Sequence, residues 1–291
     1  MEKLLPELLR VAIEAARLPS SLILSGFRSD RLSAERKSDG SPVTNYDREA
    51  ERMIRAYLAE HQPGEWPVLG EEFGLGEGFG VGKGFGLSKE FGLGEARAAG
   101  GASQGPAAAR YRWVVDPIDG TLPFTRGLPT FGTLLAFEDV TTGRALVGVI
   151  HLPAMNETYS AARGLGSWCD GKRMQVAGAR ELRDCIISVP AEHHFRLAGI
   201  ADTHEQLRAQ APHLRVFADC WAHAMVARGS IDALAEFRLC RWDIAATEVI
   251  VEEAGGVVMT RDAPHAPGKY DSIMGSPQAA REVAAILRFP S

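Results

Sequence analysis

Apolar residues recur at three-to-four spacing through residues 3–26, at Leu4, Leu8, Val11, Ala15 and Leu18, and predict an amphipathic helix kinked at Pro19. A polar turn, ERKSDGSPVT, follows. Thr44 with Asp47 three residues on is a capping signature, predicting a helix to about His61 with Met53, Ile54, Tyr57 and Leu58 on its core side. The short apolar runs WPVLG, ending at Glu71, and YRWVVD, ending at Asp116, predict strands. From Thr130 to Arg163 the pattern is β-rich, in TFGTLLAFE, RALVGVIHL and NETYSAAR. Beyond it, CIISVP, HLRVFA and DALAEF predict strands, with helices around 203–210 and from about Asp219 to Arg228. A long helix over 243–254 is stopped by Gly255-Gly256, and VVMT, SIMG and a final helix close the chain. Such irregular alternation predicts an α+β fold in layers rather than a doubly wound parallel sheet. No stretch has the composition of a linker between independent domains.

One segment breaks the pattern. EEFGLGEGFGVGKGFGLSKEFGLGEA contains four six-residue units, opening at Phe73, Phe79, Phe85 and Phe91. Dense glycine suggests a phosphate loop, but G-x-G-x-x-G fails at every start. The P-loop pattern fails too, with Glu77 where its first glycine belongs and Gly84 after Lys83. GASQG around Ser103 matches G-x-S-x-G without the strand and helix that a nucleophile elbow needs. Residues 73–109 are therefore expected to be a low-complexity surface insertion, with a lid or an oligomer contact as the alternative.

Composition narrows the partners. The 291-residue chain has a formal charge of -5, with no basic patch for a nucleic acid polymer and no apolar run of membrane length. Cys169, Cys185, Cys220 and Cys240 are far apart and form no C-x-x-C pair, as expected of reduced thiols. With no signal-like N-terminus, a cytoplasmic location is expected.

The chemistry is expected in the acids flanking the repeat. In WVVDPIDGTLPF (113–124), Asp116 ends a strand and Asp119 follows after a proline-stiffened turn. Two carboxylates this close repel unless cations neutralise them. Gly120 admits close backbone approach, and Thr121 offers a hydroxyl where a short helix can begin and its amides can face phosphate. Asp243 adds an acid at the start of the long helix, as a simple cap or as a ligand. Glu71 and Glu72 stand at a strand end. Oxygen donors with hardly any histidine or cysteine suit Mg²⁺ rather than zinc.

GEE, then DPIDGT, then GLGSWCDGKRMQVA (164–177) and WDIAATEVIVEEAGG resemble the inositol monophosphatase superfamily of Mg²⁺-dependent, lithium-sensitive phosphatases. The resemblance spans nearly the whole chain outside 73–109. It implies a layered αβαβα sandwich, one phosphatase unit of two packed halves: about 1–180 with the metal motifs, and about 181–291 completing the site. It implies Glu71, Asp116 and the Ile118 carbonyl at one cation, Asp116, Asp119 and Asp243 at a second, and two or three Mg²⁺ in all. Gly120 and Thr121 would bind phosphate, Asp47 would orient the Thr121 hydroxyl, and Lys37 falls near a lysine of the pattern. The implied reaction is direct hydrolysis of a phosphate monoester by a cation-activated water that Glu71 and Thr121 orient. Pro123 departs from the D-G-T-x-[NS]-F pattern and removes an amide beside the phosphate loop.

DCWAHAMVARG and LPTFGTLLAF look more like the histidinol-phosphate phosphatase branch. Histidinol phosphate carries an amine and an imidazole that acids can bind, whereas inositol carries hydroxyls. Asp219 and Glu236 are the candidate contacts, with Asp219 as a mere helix cap the alternative; His193, His194 and His223 are expected at the surface or in the core. The expected reaction is histidinol phosphate to histidinol and phosphate. Alternatives are an inositol monophosphatase, a nucleotide 3′-phosphatase, a sugar bisphosphatase or a non-catalytic scaffold. Relatives of this kind are often dimers, so a homodimer is a further expectation.

Overall fold

A computed structural model describes residues 1–30, 32–37, 42–76 and 109–290. Phe79, Phe85, Phe91 and Ser103 lie outside the described residues. Helix α1 (Leu5–Arg17) buries Leu8, Val11 and Ala15 as their spacing requires. The run then breaks rather than kinks: Pro19 has no N–H to continue the ladder, and α2 (Ser20–Gly26) starts anew behind it. A small ribbon of β1 (Ala34–Arg36) and β2 (Pro42–Thr44) leads into α3 (Asn45–His61). The α3 cap is the expected box: the Thr44 side chain accepts backbone N–H groups while Asp47 accepts that of Thr44.

The first large sheet contains β3 (Val68–Gly70), β4 (Gly74–Gly76), β5 (Tyr111–Asp119), β6 (Gly132–Asp139), β7 (Arg144–Leu152), β8 (Glu157–Ala162), β9 (Gly166–Cys169) and β10 (Lys172–Arg173). Its order is β10-β9-β8-β7-β6-β5-β3-β4, antiparallel except where β3 runs parallel to β5. The first Phe-Gly unit thus contributes the edge strand β4, and the chain re-enters at β5, on the other side of β3. Short α4 (Thr121–Thr125) separates β5 from β6.

The second sheet, in the order β12-β11-β13-β15-β14, is built from β11 (Ile187–Ser188), β12 (Leu214–Arg215), β13 (Ala233–Leu239), β14 (Val257–Asp262) and β15 (Tyr270–Gly275). CIISVP and HLRVFA each shrink to a two-residue strand. Helices α5 (Glu192–Leu197), α6 (Ala201–Gln210), α7 (Asp219–Ala227), α8 (Arg241–Glu253) and α9 (Pro277–Ile286) complete the fold.

Side-chain alternation along β5 sets the layers. Trp113 and Val115 face α1 and α3, whereas Val114 joins the cluster of α7 and α8. That cluster also takes Leu234 and Met274 of the second sheet, so α7 and α8 are the shared central layer. Phe195, Leu207 and Val283 of α5, α6 and α9 cover the outer face of the second sheet. Each such fully buried large side chain contributes about 1.5–3 kcal/mol. The result is the expected α/β/α/β/α sandwich. No helix among the described residues is long and apolar enough to cross a membrane.

Candidate active site

Strand β5 does not stop at Asp116. Pairing with β6 shifts register between Asp116 and Asp119 and resumes at Asp119, opposite Gly132. Pro117 sits in this irregular stretch, where its missing N–H costs no regular ladder bond, and its carbonyl accepts the Thr133 hydroxyl at 2.9 Å. Asp116 and Asp119 are both buried. Asp119 Oδ2 accepts the Cys220 amide from the first turn of α7 at 2.5 Å. Asp243 is the third residue of α8 rather than its cap; Cys240 holds the cap position and donates its amide to Asp243 Oδ2 at 2.7 Å.

One carboxylate oxygen from each of Asp116, Asp119 and Asp243 lies within 4.8 Å of the others. Burial, then Glu71, Asp119 and Asp243, hold the Asp116 pKa well above the usual carboxylate range. Burial with Asp219 and Asp243 does the same to Asp119, and burial pushes Asp243 up to about 7. Asp116 Oδ1 is buried without a hydrogen-bond partner. An unpartnered buried oxygen amid converging acids fits a hard divalent cation, which would satisfy the oxygen and remove the repulsion.

Glu71 follows β3, its amide donating to the Val115 carbonyl at 3.1 Å and its charge helping to hold the Asp116 pKa up. Lys37 donates to Glu71 at 2.7 Å and to Glu72 at 2.6 Å. Beneath them lies a buried ion pair that none of the motifs singled out. Glu51 and Arg55, both buried on α3, pair at 2.8 Å. Glu51 accepts the Glu72 amide at 2.8 Å, and Arg55 donates to the carbonyls of Val68 and Gly74. A Cβ on Gly70 would fall on the Glu51 carboxylate and push it off its partners. The pair therefore clamps the strand ends that carry Glu71 and open the insertion.

Gly120 precedes α4 with φ +79°, and a Cβ there would press on the Thr130 carbonyl at 2.9 Å. The Thr121 hydroxyl lies 3.2 Å from Asp47 Oδ1 and 3.0 Å from the Ile118 carbonyl. Burial pushes Asp47 up to about 7, against its bonds from Thr44. Pro123 is the third residue of α4, in the first turn, where an amide has no intrahelical acceptor; the first closing bond runs from Phe124 to the Gly120 carbonyl at 3.0 Å. The proline removes an outward donor but costs the helix nothing.

Glu71, Asp116, Ile118, Asp119, Gly120, Thr121 and Asp243 line one cavity of about 130 Å³ together with Asp219, His223 and Glu236. Asp219 does not cap α7: it is the first helical residue, behind Ala218, with no side-chain cap bond. Its φ of +61° is the left-handed region, which aspartate tolerates better than most side chains and which is concentrated at functional sites. Burial and Glu236 push its pKa up to about 6. Glu236, on β13, meets His223 Nε2 at 2.6 Å, and His223 Nδ1 lies 2.9 Å from the Thr247 hydroxyl of α8. His223 is thus a core histidine, as one of the expectations held, but it also borders the cavity. Burial opposes its charged form, yet Glu236, Asp119 and Asp219 outweigh burial and push its pKa up to about 9. His193 is exposed and His194 half-buried, and neither lines the cavity.

The profile of the inositol monophosphatase family matches residues 4–289. A histidinol-phosphatase of Chlorobaculum parvum is 31% identical over 248 residues, covering 85% of this chain and 83% of that one. An inositol-1-monophosphatase of Mesorhizobium japonicum is 30% identical, covering 88% and 86%. The solved structure of a Thermotoga maritima IMPase superposes with a TM-score of 0.74 at 27% identity, covering 99% of this chain and 97% of that one.

Proposed function

The chain belongs to the inositol monophosphatase family of metal-dependent phosphoric monoester hydrolases, and we propose that it uses Mg²⁺ to hydrolyse histidinol phosphate to histidinol and phosphate. In this reading Glu71, Asp116, Asp119, Asp243 and the Ile118 carbonyl hold the cations. Bound there, Mg²⁺ supplies the Lewis acidity that makes water nucleophilic and neutralises charge on the phosphoryl oxygens.

The remaining work falls to the chain's own groups. Glu71 and Thr121 orient the attacking water. Asp47 takes the Thr121 hydroxyl hydrogen once the Ile118 carbonyl is engaged elsewhere, which leaves the Thr121 oxygen as acceptor toward that water. Gly120 and the first turn of α4 present backbone amides to the phosphate. Water is kept in line by fixed groups, so the barrier falls through positioning and electrostatics rather than through a covalent intermediate.

The observation that carries the substrate is the second pair of acids. Asp219 and Glu236 stand in the same cavity as the metal acids but are not needed by the cations. A wall bearing two carboxylates suits a leaving alcohol with a protonated amine better than one with hydroxyls alone. Phosphate release from histidinol phosphate, inositol 1-phosphate and p-nitrophenyl phosphate, with and without Mg²⁺, tests this. Histidinol phosphate should show the highest kcat/KM, and a preference for inositol 1-phosphate or for the nitrophenyl ester would overturn the assignment.

A further inference from the structure

His223 occupies a position that the reaction itself does not use. Its Nε2 faces a Glu236 oxygen at 2.6 Å, so that nitrogen carries the hydrogen and donates to the carboxylate. Thr247 stands behind the other nitrogen at 2.9 Å and fixes the ring plane. Three elements meet in this relay: β13 carries Glu236, α7 carries His223 and α8 carries Thr247. His223 and Thr247 are fully enclosed, and Glu236 is 7% exposed.

The consequence lies in the acceptors left over. A free carboxylate offers two oxygens and can grip two neighbouring hydroxyls at once. With one oxygen engaged by His223, only the other oxygen of Glu236 is left without a side-chain partner for a ligand to meet. The Asp219 side chain, one helical turn before His223, makes no hydrogen bond among the described residues and adds its own carboxylate to the cavity. We propose that His223 is a specificity-determining positioning residue: by occupying one oxygen of Glu236, it aims the other, with Asp219, at one protonated amine and denies a vicinal diol its two-point grip. The relay then selects aminoalkyl phosphates over polyol phosphates, partly by attraction to the first and partly by withholding an acceptor from the second. This rests on the reading of Asp219 and Glu236 as the groups that meet the leaving alcohol.

Two substitutions separate the two faces of the ring. In His223→Gln the amide nitrogen can reach the Nε2 position and keep the donor to Glu236. In His223→Asn the shorter amide can reach Thr247 but not Glu236. The measurement is the ratio of kcat/KM for histidinol phosphate to that for inositol 1-phosphate, at saturating Mg²⁺, in variants whose melting curves show a folded protein. A general loss of activity cancels in this ratio. His223→Asn should lower it by about tenfold or more, mainly through KM for histidinol phosphate, since a charge-assisted contact is being released. His223→Gln should hold the ratio within roughly threefold of wild type, because the donor to Glu236 remains. A ratio unmoved by His223→Asn, or moved as far by His223→Gln, overturns the proposal. Should neither variant fold, Thr247→Val removes the back partner alone. It should shift the ratio in the same direction, and an unchanged ratio there also overturns the proposal. A wild-type enzyme that does not favour histidinol phosphate defeats the substrate reading instead. A ratio that still separates the two variants would then leave the role of His223 standing.

Discussion

Replacing Asp116 with asparagine should raise the stability of the metal-free protein while abolishing its chemistry. One oxygen from each of Asp116, Asp119 and Asp243 lies within 4.8 Å of the others, and the Glu71 charge acts on Asp116 as well. At that separation and an effective dielectric constant of about 20, two full charges repel by about 3.5 kcal/mol. Retained protons relieve part of this, as the raised pKa values of the cluster require, leaving about 1–3 kcal/mol for a neutral side chain to remove. For a chain of this length 1 kcal/mol corresponds to about 2 °C, so D116N in EDTA at pH 7.5 should melt roughly 2–6 °C above wild type. Mg²⁺ should reverse the order. Wild type gains about 2.7 kcal/mol when the cation is at a hundred times its Kd, and the variant gains little. Phosphate release should fall roughly a thousandfold, the equivalent of about 4 kcal/mol of lost charge stabilisation. Melting curves with EDTA and with Mg²⁺, beside a phosphate-release assay, read all three quantities. If D116N melts below wild type in EDTA, or keeps Mg²⁺-dependent turnover, the acids are not a cation site held together against their own repulsion.

The folded chain holds protons on Asp47 and Asp243 up to about pH 7, against about 4 when unfolded, so metal-free stability should fall as pH rises through that window. Mg²⁺ favours the charged form of Asp243, so the Mg²⁺-induced rise in Tm should be larger at pH 7.5 than at pH 5.5; equal shifts would sink this. Arg55→Met leaves the Glu51 charge buried without its counter-ion and should cost about 3–5 kcal/mol, seen as a drop of roughly 6–10 °C in Tm, with weaker Mg²⁺ binding because the strand ends beside Glu71 lose the Arg55 bonds to the Val68 and Gly74 carbonyls. A drop within about 1 °C would show that the pair does not clamp the strand ends. Deleting residues 79–102 while keeping Glu71 to Gly76 and the β5 strand should leave Mg²⁺-dependent kcat within about threefold of wild type, since loop length enters closure only weakly. A large loss of kcat would make the repeat a working lid.

The elements that follow a strong period were legible from the chain: the faces of α1 and α3, the capping box at Thr44 and the alternation that layers β5. The acids at element ends were legible too, because DPIDGT and WDIAATEVIVEEAGG keep them local in sequence. Edges of elements were less so. The predicted end of β5 at Asp116 treated Pro117 as a stop, whereas the strand absorbs it in a register shift and resumes at Asp119. CIISVP and HLRVFA have strand composition, but only two residues of each find a pairing partner. Tertiary pairing, which local pattern does not encode, decides such lengths.

What escaped notice at the site shares one geometry. Each of three helices starts with an acid at the cavity or beside it: Asp47 on α3, Asp219 on α7 and Asp243 on α8. One turn further along each helix, four residues on, stands a buried polar side chain: Glu51, His223 and Thr247. The i, i+4 relation puts each on the same face as the acid above it, so a polar residue at that spacing is turned toward the site and not toward solvent. On α7 and α8 these second-turn groups meet each other, joining Glu236 to Thr247 through His223. On α3 the stripe runs one step longer, to Arg55, and holds the strand ends of Glu71. A polar residue four positions after a site acid was therefore the available signal, and it was missed because charges within a helix are ordinarily solvated. Burial makes the difference: enclosed polar groups must be partnered, and in these helices the partners are the groups that aim the site.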